Sequence, residues 1–232
     1  MTQPPIPNPN TTFPADAPVL PTQPVSVLLP EIQNLKPIYT DRLTLHPFPS
    51  ESEDPESFTR AAEGIFRIRS SKEVTRWLYY KTPHQTVEET KDWMRAKVFD
   101  TPHASGAVGN RHFHFFITER DDEERKIVGV VGVNALYPSP SVGYGLHPDV
   151  WGKGYATEAV RGVVDAWWKV PRVPTVDAGE RLFGATNVEN VASFRVLQKA
   201  GFEVYEYVEY GVKIAFMAMK QPESGVNQPR SE

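Results

Sequence analysis

The segment that most limits how this chain can fold runs from Val150 to Pro171. Val150-Trp151-Gly152-Lys153-Gly154 is a glycine-spaced loop, after which Ala156, Ala159, Val160, Val163, Val164 and Trp167 recur at i, i+3, i+4, i+7, i+8 and i+11. That spacing gathers the apolar side chains on one face of a helix, and the face must be buried against a second layer. Pro171 has no N–H to continue the helix and stops it. At the other end, Gly152 and Gly154 let the backbone come close to a ligand, and the first amides of the helix point at whatever sits in the loop. A pyrophosphate suits such a cradle, although a short G-x-G before a helix also marks plain tight turns. The chain has neither G-x-G-x-x-G with a later acidic residue nor G-x-x-x-x-G-K-[ST], so neither a Rossmann dinucleotide site nor a P-loop is supported.

Around this segment the pattern is mixed α and β. Strands are expected at 42–48, 111–119, 126–134, 141–146, 181–185, 203–210 and 212–219, several of them rich in β-branched or aromatic residues. Helices are expected at 55–68, 87–98, 155–170 and 190–200. Asn190 is a plausible N-cap with Ser193 three residues on, and Gly201 suits the left-handed residue after the helix. The charged run from Arg120 to Arg125 reads as the solvated tip of a hairpin.

Length and composition fit one domain with tails. The chain has 232 residues, 40% of them apolar and 11% aromatic, which is ordinary for a substantial core. A net charge of -4 argues against a nucleic-acid surface, which needs concentrated Lys and Arg. With no cysteine, disulfides, thiolate catalysis and Cys-based metal sites are excluded. No apolar stretch reaches the roughly 20 residues that span a bilayer, and the amino terminus lacks a signal-peptide pattern, so a cytoplasmic, non-membrane protein is expected. Nine of the 22 prolines fall in the first 30 residues. Residues 1–36 therefore read as an extended arm, whose apolar run from Val25 to Leu29 is suited to docking, 37–220 as the domain, and 221–232 as a polar tail.

Four segments together carry a family resemblance. Trp151-Gly152-Lys153-Gly154-Tyr155-Ala156 resembles the R/Q-x-x-G-x-G/A acyl-CoA pyrophosphate loop of the GNAT acetyltransferase superfamily. Asn190 to Ser193, followed by Leu197-Gln198-Lys199-Ala200-Gly201-Phe202, is similar to the N-x-x-S and L-x-K-x-G-F signature of its ribosomal-protein N-terminal acetyltransferase (Rim-type) branch. Thr40 to Leu45 resembles that branch's opening strand, and Val74 to Leu78 its first helical region. The resemblance implies a GNAT-like α/β (α+β) fold: a mixed, mostly antiparallel seven-stranded sheet, splayed between its fourth and fifth strands, with about four helices. Those two strands are here 141–146 and 181–185. Gly143 and Gly145 would suit a bulge that opens the pair, and although glycine in a strand can equally mean crowding, the bulge is the reading favoured.

It further implies an acetyl-CoA-dependent N-acetyltransferase that moves an acetyl group directly to an amine acceptor, a protein N-terminus or a small molecule, with no metal. Main-chain amides near Leu146 would hold the pantetheine arm, and those of Trp151, Gly152, Lys153, Gly154, Tyr155, Ala156 and Thr157 the pyrophosphate, with Asn190 and Ser193 also at the cofactor. Trp151 stands where the family usually has Arg or Gln. The family's common Tyr acid on the last helix falls on Leu197, so Ser193 is the acid or sulfur-contact candidate, beside a purely capping role. His147, Tyr144 and Asp149 are the base candidates by position, with His147 titrating closest to neutrality. Glu158 lies in the first helical turn, where the dipole accounts for it. His112 and His114 share one strand face and line either core or an acceptor pocket with Trp77, Tyr79 and Tyr80; two ligands alone make no zinc site. An acyl-CoA sensor without catalysis and a proline-arm interaction protein are the alternatives, and a monomer and a homodimer both stay open.

Overall fold

The computed structural model describes residues 27–78, 81–99, 109–136, 139–172, 180–209 and 211–221. The first 26 residues of the arm, Tyr79, Tyr80, most of the 171–180 loop and the tail beyond 221 lie outside the described residues. The elements, in chain order, are β1 (Ile38–Tyr39), β2 (Leu43–Pro47), α1 (Pro55–Arg69), α2 (Lys72–Thr75), α3 (Val87–Arg95), β3 (Phe113–Glu119), β4 (Gly129–Val133), β5 (Val142–Leu146), α4 (Tyr155–Lys169), β6 (Arg181–Asn187), α5 (Val191–Lys199), β7 (Glu203–Glu209) and β8 (Lys213–Lys220).

Among the described residues the expected seven-stranded sheet is instead eight strands in two sheets, antiparallel β1-β2-β3-β4-β5 and β6-β8-β7. The added strand, β1, is two residues long and shows no periodicity in sequence. The fifth helix, α2, is a single turn for the same reason. Helix α3 ends at Arg95 rather than 98 because Lys97 and Val98 bond three residues back, to Met94 and Arg95, tightening the last turn.

Strand alternation divides the core. Phe113, Phe115 and Ile117 point toward α4, whose Val160, Val163 and Trp167 are fully buried. Phe113 and Trp167 meet edge to face at 5.4 Å. Leu182, Ala215 and Met217 of the second sheet join this same cluster, so one continuous core underlies both sheets. On the opposite face of the first sheet, Phe58, Ala61, Ala62 and Ile65 of α1 and Met94 of α3 pack with Phe48 and Val130.

The sheets touch at one end only. Ser141 bridges Phe183 in parallel, and the Phe183 amide donates to the Pro140 carbonyl at 2.8 Å. Beyond that bridge β5 and β6 share no strand pairing, which is the splay between the fourth and fifth of the expected strands. The bulge expected at Gly143 and Gly145 is not the cause, because β4 and β5 pair without a register shift from Gly129↔Leu146 to Val133↔Val142. Gly143 is a crowded position instead, where a Cβ would lie 2.4 Å from Asn134 Nδ2.

Part of the proline-rich leader belongs to the core. Val27 and Leu29 are 0% and 3% exposed within the main cluster, and the Leu28 amide donates to the Pro171 carbonyl at 2.8 Å. Leu29→Ala is expected to cost about 2–5 kcal/mol of stability, read from the urea midpoint. An unchanged midpoint would detach this segment from the fold.

Candidate active site

Three of the longer helices begin with a side chain that caps their free amides. Asp54 accepts from the Ser57 amide in α1, Thr86 from Glu89 in α3, and Asn190 from Ser193 in α5. Helix α4 differs. Its N-cap is Gly154 at φ 82°, with no side-chain cap bond, so the amides of its first turn have no partner of that kind. Gly152 also lies at positive φ, 79°, a region that suits glycine and strains other residues. Trp151, Gly152, Lys153, Gly154, Tyr155, Ala156 and Thr157 thus form one turn into an uncapped helix N-terminus, the anion-binding geometry.

The turn is fastened from two sides. The Trp151 indole N–H donates to the Leu146 carbonyl at 2.9 Å, tying the loop to the end of β5. The Arg42 guanidinium donates to the Lys153 carbonyl at 3.0 Å and to Glu158 Oε2 at 2.8 Å. Glu158 also accepts from the Thr40 hydroxyl at 2.7 Å and the Arg42 amide at 2.8 Å. The helix dipole is therefore not the whole account of Glu158: its carboxylate joins α4 to the start of β2. Nothing in sequence spacing pairs residues so far apart, but the acidic residue in the first helical turn was the available signal. Arg42 and Lys153 both lie over the Tyr155 ring, 4.7 and 5.6 Å from its centroid, so two cations flank the turn.

The free edge of β5 faces the gap. The His147 amide donates to the Val128 carbonyl and the Asn134 amide to the Ser141 carbonyl, so the odd-numbered residues of this stretch bond β4. By the alternation of an antiparallel ladder, the amides of Tyr144 and Leu146 point away from β4, toward β6.

Tyr144 and Ser193 meet across this gap. The Tyr144 hydroxyl lies 2.8 Å from Ser193 Oγ and donates to the Ser193 carbonyl at 3.0 Å. A phenol has one proton, so with that proton on the carbonyl the Ser193 hydroxyl donates to the Tyr144 oxygen. The cap uses only the backbone amide of Ser193, at 3.1 Å from Asn190 Oδ1, and leaves its hydroxyl for Tyr144. Burial pushes the Tyr144 phenol up to about 12, against a smaller downward pull from Ser193, so it is protonated throughout the neutral range.

His147 follows Leu146, and its Nδ1 accepts from the Asp149 amide at 3.4 Å and lies 3.3 Å from the Asp149 carboxylate. No described hydrogen bond links His147 to Tyr144 or Ser193. His112 and His114 are core residues, 2% and 3% exposed. His112 Nδ1 accepts the His114 amide, so its Nε2 carries the proton donated to the Phe48 carbonyl at 2.9 Å. Burial lowers His112 to about 4 and His114 well below its ordinary value, and both are neutral. They do not meet Trp77, which is half-buried with Arg76 over its ring.

Burial raises the Glu158 carboxyl, but the bonds from Thr40 and Arg42 outweigh it and hold the group below 4.5. Its folded pKa thus lies under its unfolded one, so the stabilisation is complete above about pH 4.5 and fades as pH falls through the lowered value. Glu158→Gln is expected to lower the urea midpoint at pH 7, with the gap from wild type closing below pH 4.5. A gap that stays constant with pH would deny the charged pair a role.

Residues 42–203 match the family model described as an acetyltransferase (GNAT) domain. An uncharacterized N-acetyltransferase, p20, of Bacillus licheniformis is 26% identical over 172 residues, covering 73% of this chain and 83% of the relative. The fold also matches two solved structures. One is the ribosomal L7/L12 α-N-protein acetyltransferase RimL in complex with coenzyme A, with a TM-score of 0.56, 17% identity, and 80% and 98% of the two chains covered. The other is spermidine N-acetyltransferase of Vibrio cholerae in complex with CoA and spermine, with a TM-score of 0.54, 15% identity, and 77% and 95% covered. With most of its length matched by the family model and a splayed sheet opening onto an uncapped helix, this chain belongs to the GNAT acetyltransferase family.

Proposed function

We propose that the protein is an acetyl-CoA-dependent N-acetyltransferase that passes an acetyl group directly to an amine in a ternary complex. The observation that carries this reading is the convergence of two sets of free backbone donors: the uncapped N-terminus of α4 and the gap-facing amides of β5. The first suits a pyrophosphate and the second a pantetheine arm, and Trp151 holds the two at a fixed spacing. Among the described residues no helix is long and apolar enough to cross a membrane.

The chemistry follows from the groups at the gap. The amine nitrogen bonds to the thioester carbonyl carbon, the C–S bond breaks, and one N–H proton is released. The Leu146 amide faces the place where negative charge grows on the carbonyl oxygen. A phenol held at about 12 is a weaker acid than a thiol near 8.5, so Tyr144 steadies the departing thiolate by turning its O–H from the Ser193 carbonyl to the sulfur rather than by giving up its proton. The Ser193 hydroxyl, donating to the phenol oxygen, keeps that phenol oriented. His147 is the base candidate in the tautomer whose Nδ1–H faces the Asp149 carboxylate at 3.3 Å, which leaves the Nε2 lone pair free to take the proton; with Nδ1 accepting the Asp149 amide instead, Nε2–H is a donor. The Rim-type motif of α5 and the RimL likeness favour a protein N-terminus as acceptor; the spermidine enzyme's likeness favours a small amine.

Acetyl-CoA at 100 times its dissociation constant is expected to add about 2.7 kcal/mol of stability, seen as a raised thermal midpoint that ATP and NAD do not reproduce. Gly154→Val, which forces a branched residue into positive φ, removes that shift; a retained shift would misplace the cradle. Tyr144→Phe is expected to lower kcat by about 10²-fold while acetyl-CoA affinity stays close to wild type. Ser193→Ala falls the same way, and unchanged turnover in both variants removes the pair from the mechanism.

A further inference from the structure

Strand β7 carries a register shift. Glu203 pairs with Ala218 and Val204 with Met217, but the next pair is Glu206 with Phe216, leaving Tyr205 as the extra residue. In an unbroken strand Glu203, Tyr205 and Tyr207 would share a face; the bulge turns Glu206 onto the face of Glu203 and Phe216 instead. Phe216 in turn pairs with Ala185 of β6, the strand that borders the gap.

The face that Phe216 and Ala185 share is the one α5 does not cover. Helix α5 closes the other side, where a Cβ on Gly184 would lie 3.1 Å from Leu197 and 3.8 Å from Phe202. Ala185 points the opposite way and is exposed, although it lies inside a strand of the sheet. Along the same face the Tyr205 ring meets Phe183 at 6.0 Å and Phe216 at 6.4 Å. Among these rings Glu206 Oε2 is buried and has no hydrogen-bond partner. Lys213 pairs with Glu209 on the opposite face of the sheet and lies over Tyr207, 4.8 Å from its ring centroid. Burial and the Glu206 charge both push the Tyr205 phenol up, which keeps it neutral beside the carboxylate. A buried carboxylate oxygen among aromatic rings is costly unpaired and complementary to an ammonium, which both the charge and the π faces attract.

We propose that Glu206, with Tyr205, Phe216 and Phe183, is a subsite for a second positive charge on the acceptor. The amine to be acetylated sits in the gap, and the additional cation lies across the β6-β8-β7 face, about two strand spacings or roughly 10 Å away. This proposal rests on the transferase reading and narrows its substrates to dicationic amines, either linear diamines or peptides with a basic residue beside a free N-terminus.

The test is calorimetric titration in the presence of CoA, using two matched pairs: 1,7-diaminoheptane against heptylamine, and peptides with a free N-terminus that differ only by lysine or norleucine at the second position. Wild type is expected to bind the dicationic member of at least one pair about 30-fold more tightly, and Glu206→Gln to abolish that preference. Preference within the diamine pair alone identifies a small-molecule acceptor; preference within the peptide pair alone identifies a protein one. Wild type that treats both pairs alike, or a preference that survives Glu206→Gln, overturns the subsite. The acetyl-CoA thermal shift of both proteins is read in parallel. Its absence from wild type refutes the transferase reading separately, and its presence in Glu206→Gln shows that the variant is folded.

Discussion

A strand edge left without a partner inside a folded domain is the constraint on which this architecture turns. Backbone N–H and C=O groups are obligatory hydrogen-bonding groups, and a buried one without a partner costs about 1–3 kcal/mol. In β5 the odd-numbered residues spend their bonds on β4, while Tyr144 and Leu146 turn theirs toward a second sheet that pairs only near Ser141. Such an edge survives because the two sheets are held apart by other means. A single core beneath them, built on Val160, Val163 and Trp167 of α4, fixes their separation, and the Tyr144–Ser193 contact spans it. The bond from Trp151 to the Leu146 carbonyl satisfies one of the outward groups with a side chain.

Helix α4 serves that arrangement in two ways. Its apolar face supplies the floor under both sheets, and its uncapped first turn supplies donors at the open end of the gap. With glycine as its N-cap, the helix gives up only about a few tenths of a kcal/mol of capping stabilisation. The Thr40, Arg42 and Glu158 network fixes the same turn through side chains that leave the first amides alone. Its shielded carboxylate, 15% exposed, separates it from surface pairs such as Arg60–Glu56, which are worth little in water.

What could be read from the chain depended on the range of the signal. Helix α4 was legible almost to the residue because its apolar period, its glycine entry and its proline stop are all local. Asn190 was legible as a cap for the same reason. The split into two sheets was not, since no periodicity tells whether 141–146 and 181–185 pair along their whole length. The bulge read from Gly143 and Gly145 failed because glycine signals either freedom or crowding, and the Asn134 side chain decides for crowding at Gly143. Glu158 read as a dipole partner because Thr40 and Arg42 are distant in sequence. The bulge at Tyr205 had no sequence signature, so the face presented by Glu206 depended on its register with β8.

By itself, the sequence determined the α/β class, the helix that builds the core, the glycine turn at its head and the Asn190–Ser193 cap, because each rests on spacing within one or two helical turns. Tertiary structure alone decided that Tyr144 shares the gap with Ser193, that Arg42 braces the turn and that Glu206 shares a face with Phe216. Those outcomes depend on strand register and on which sheet edges stay unpaired. Both are set by packing between segments too far apart in sequence for any local pattern to encode.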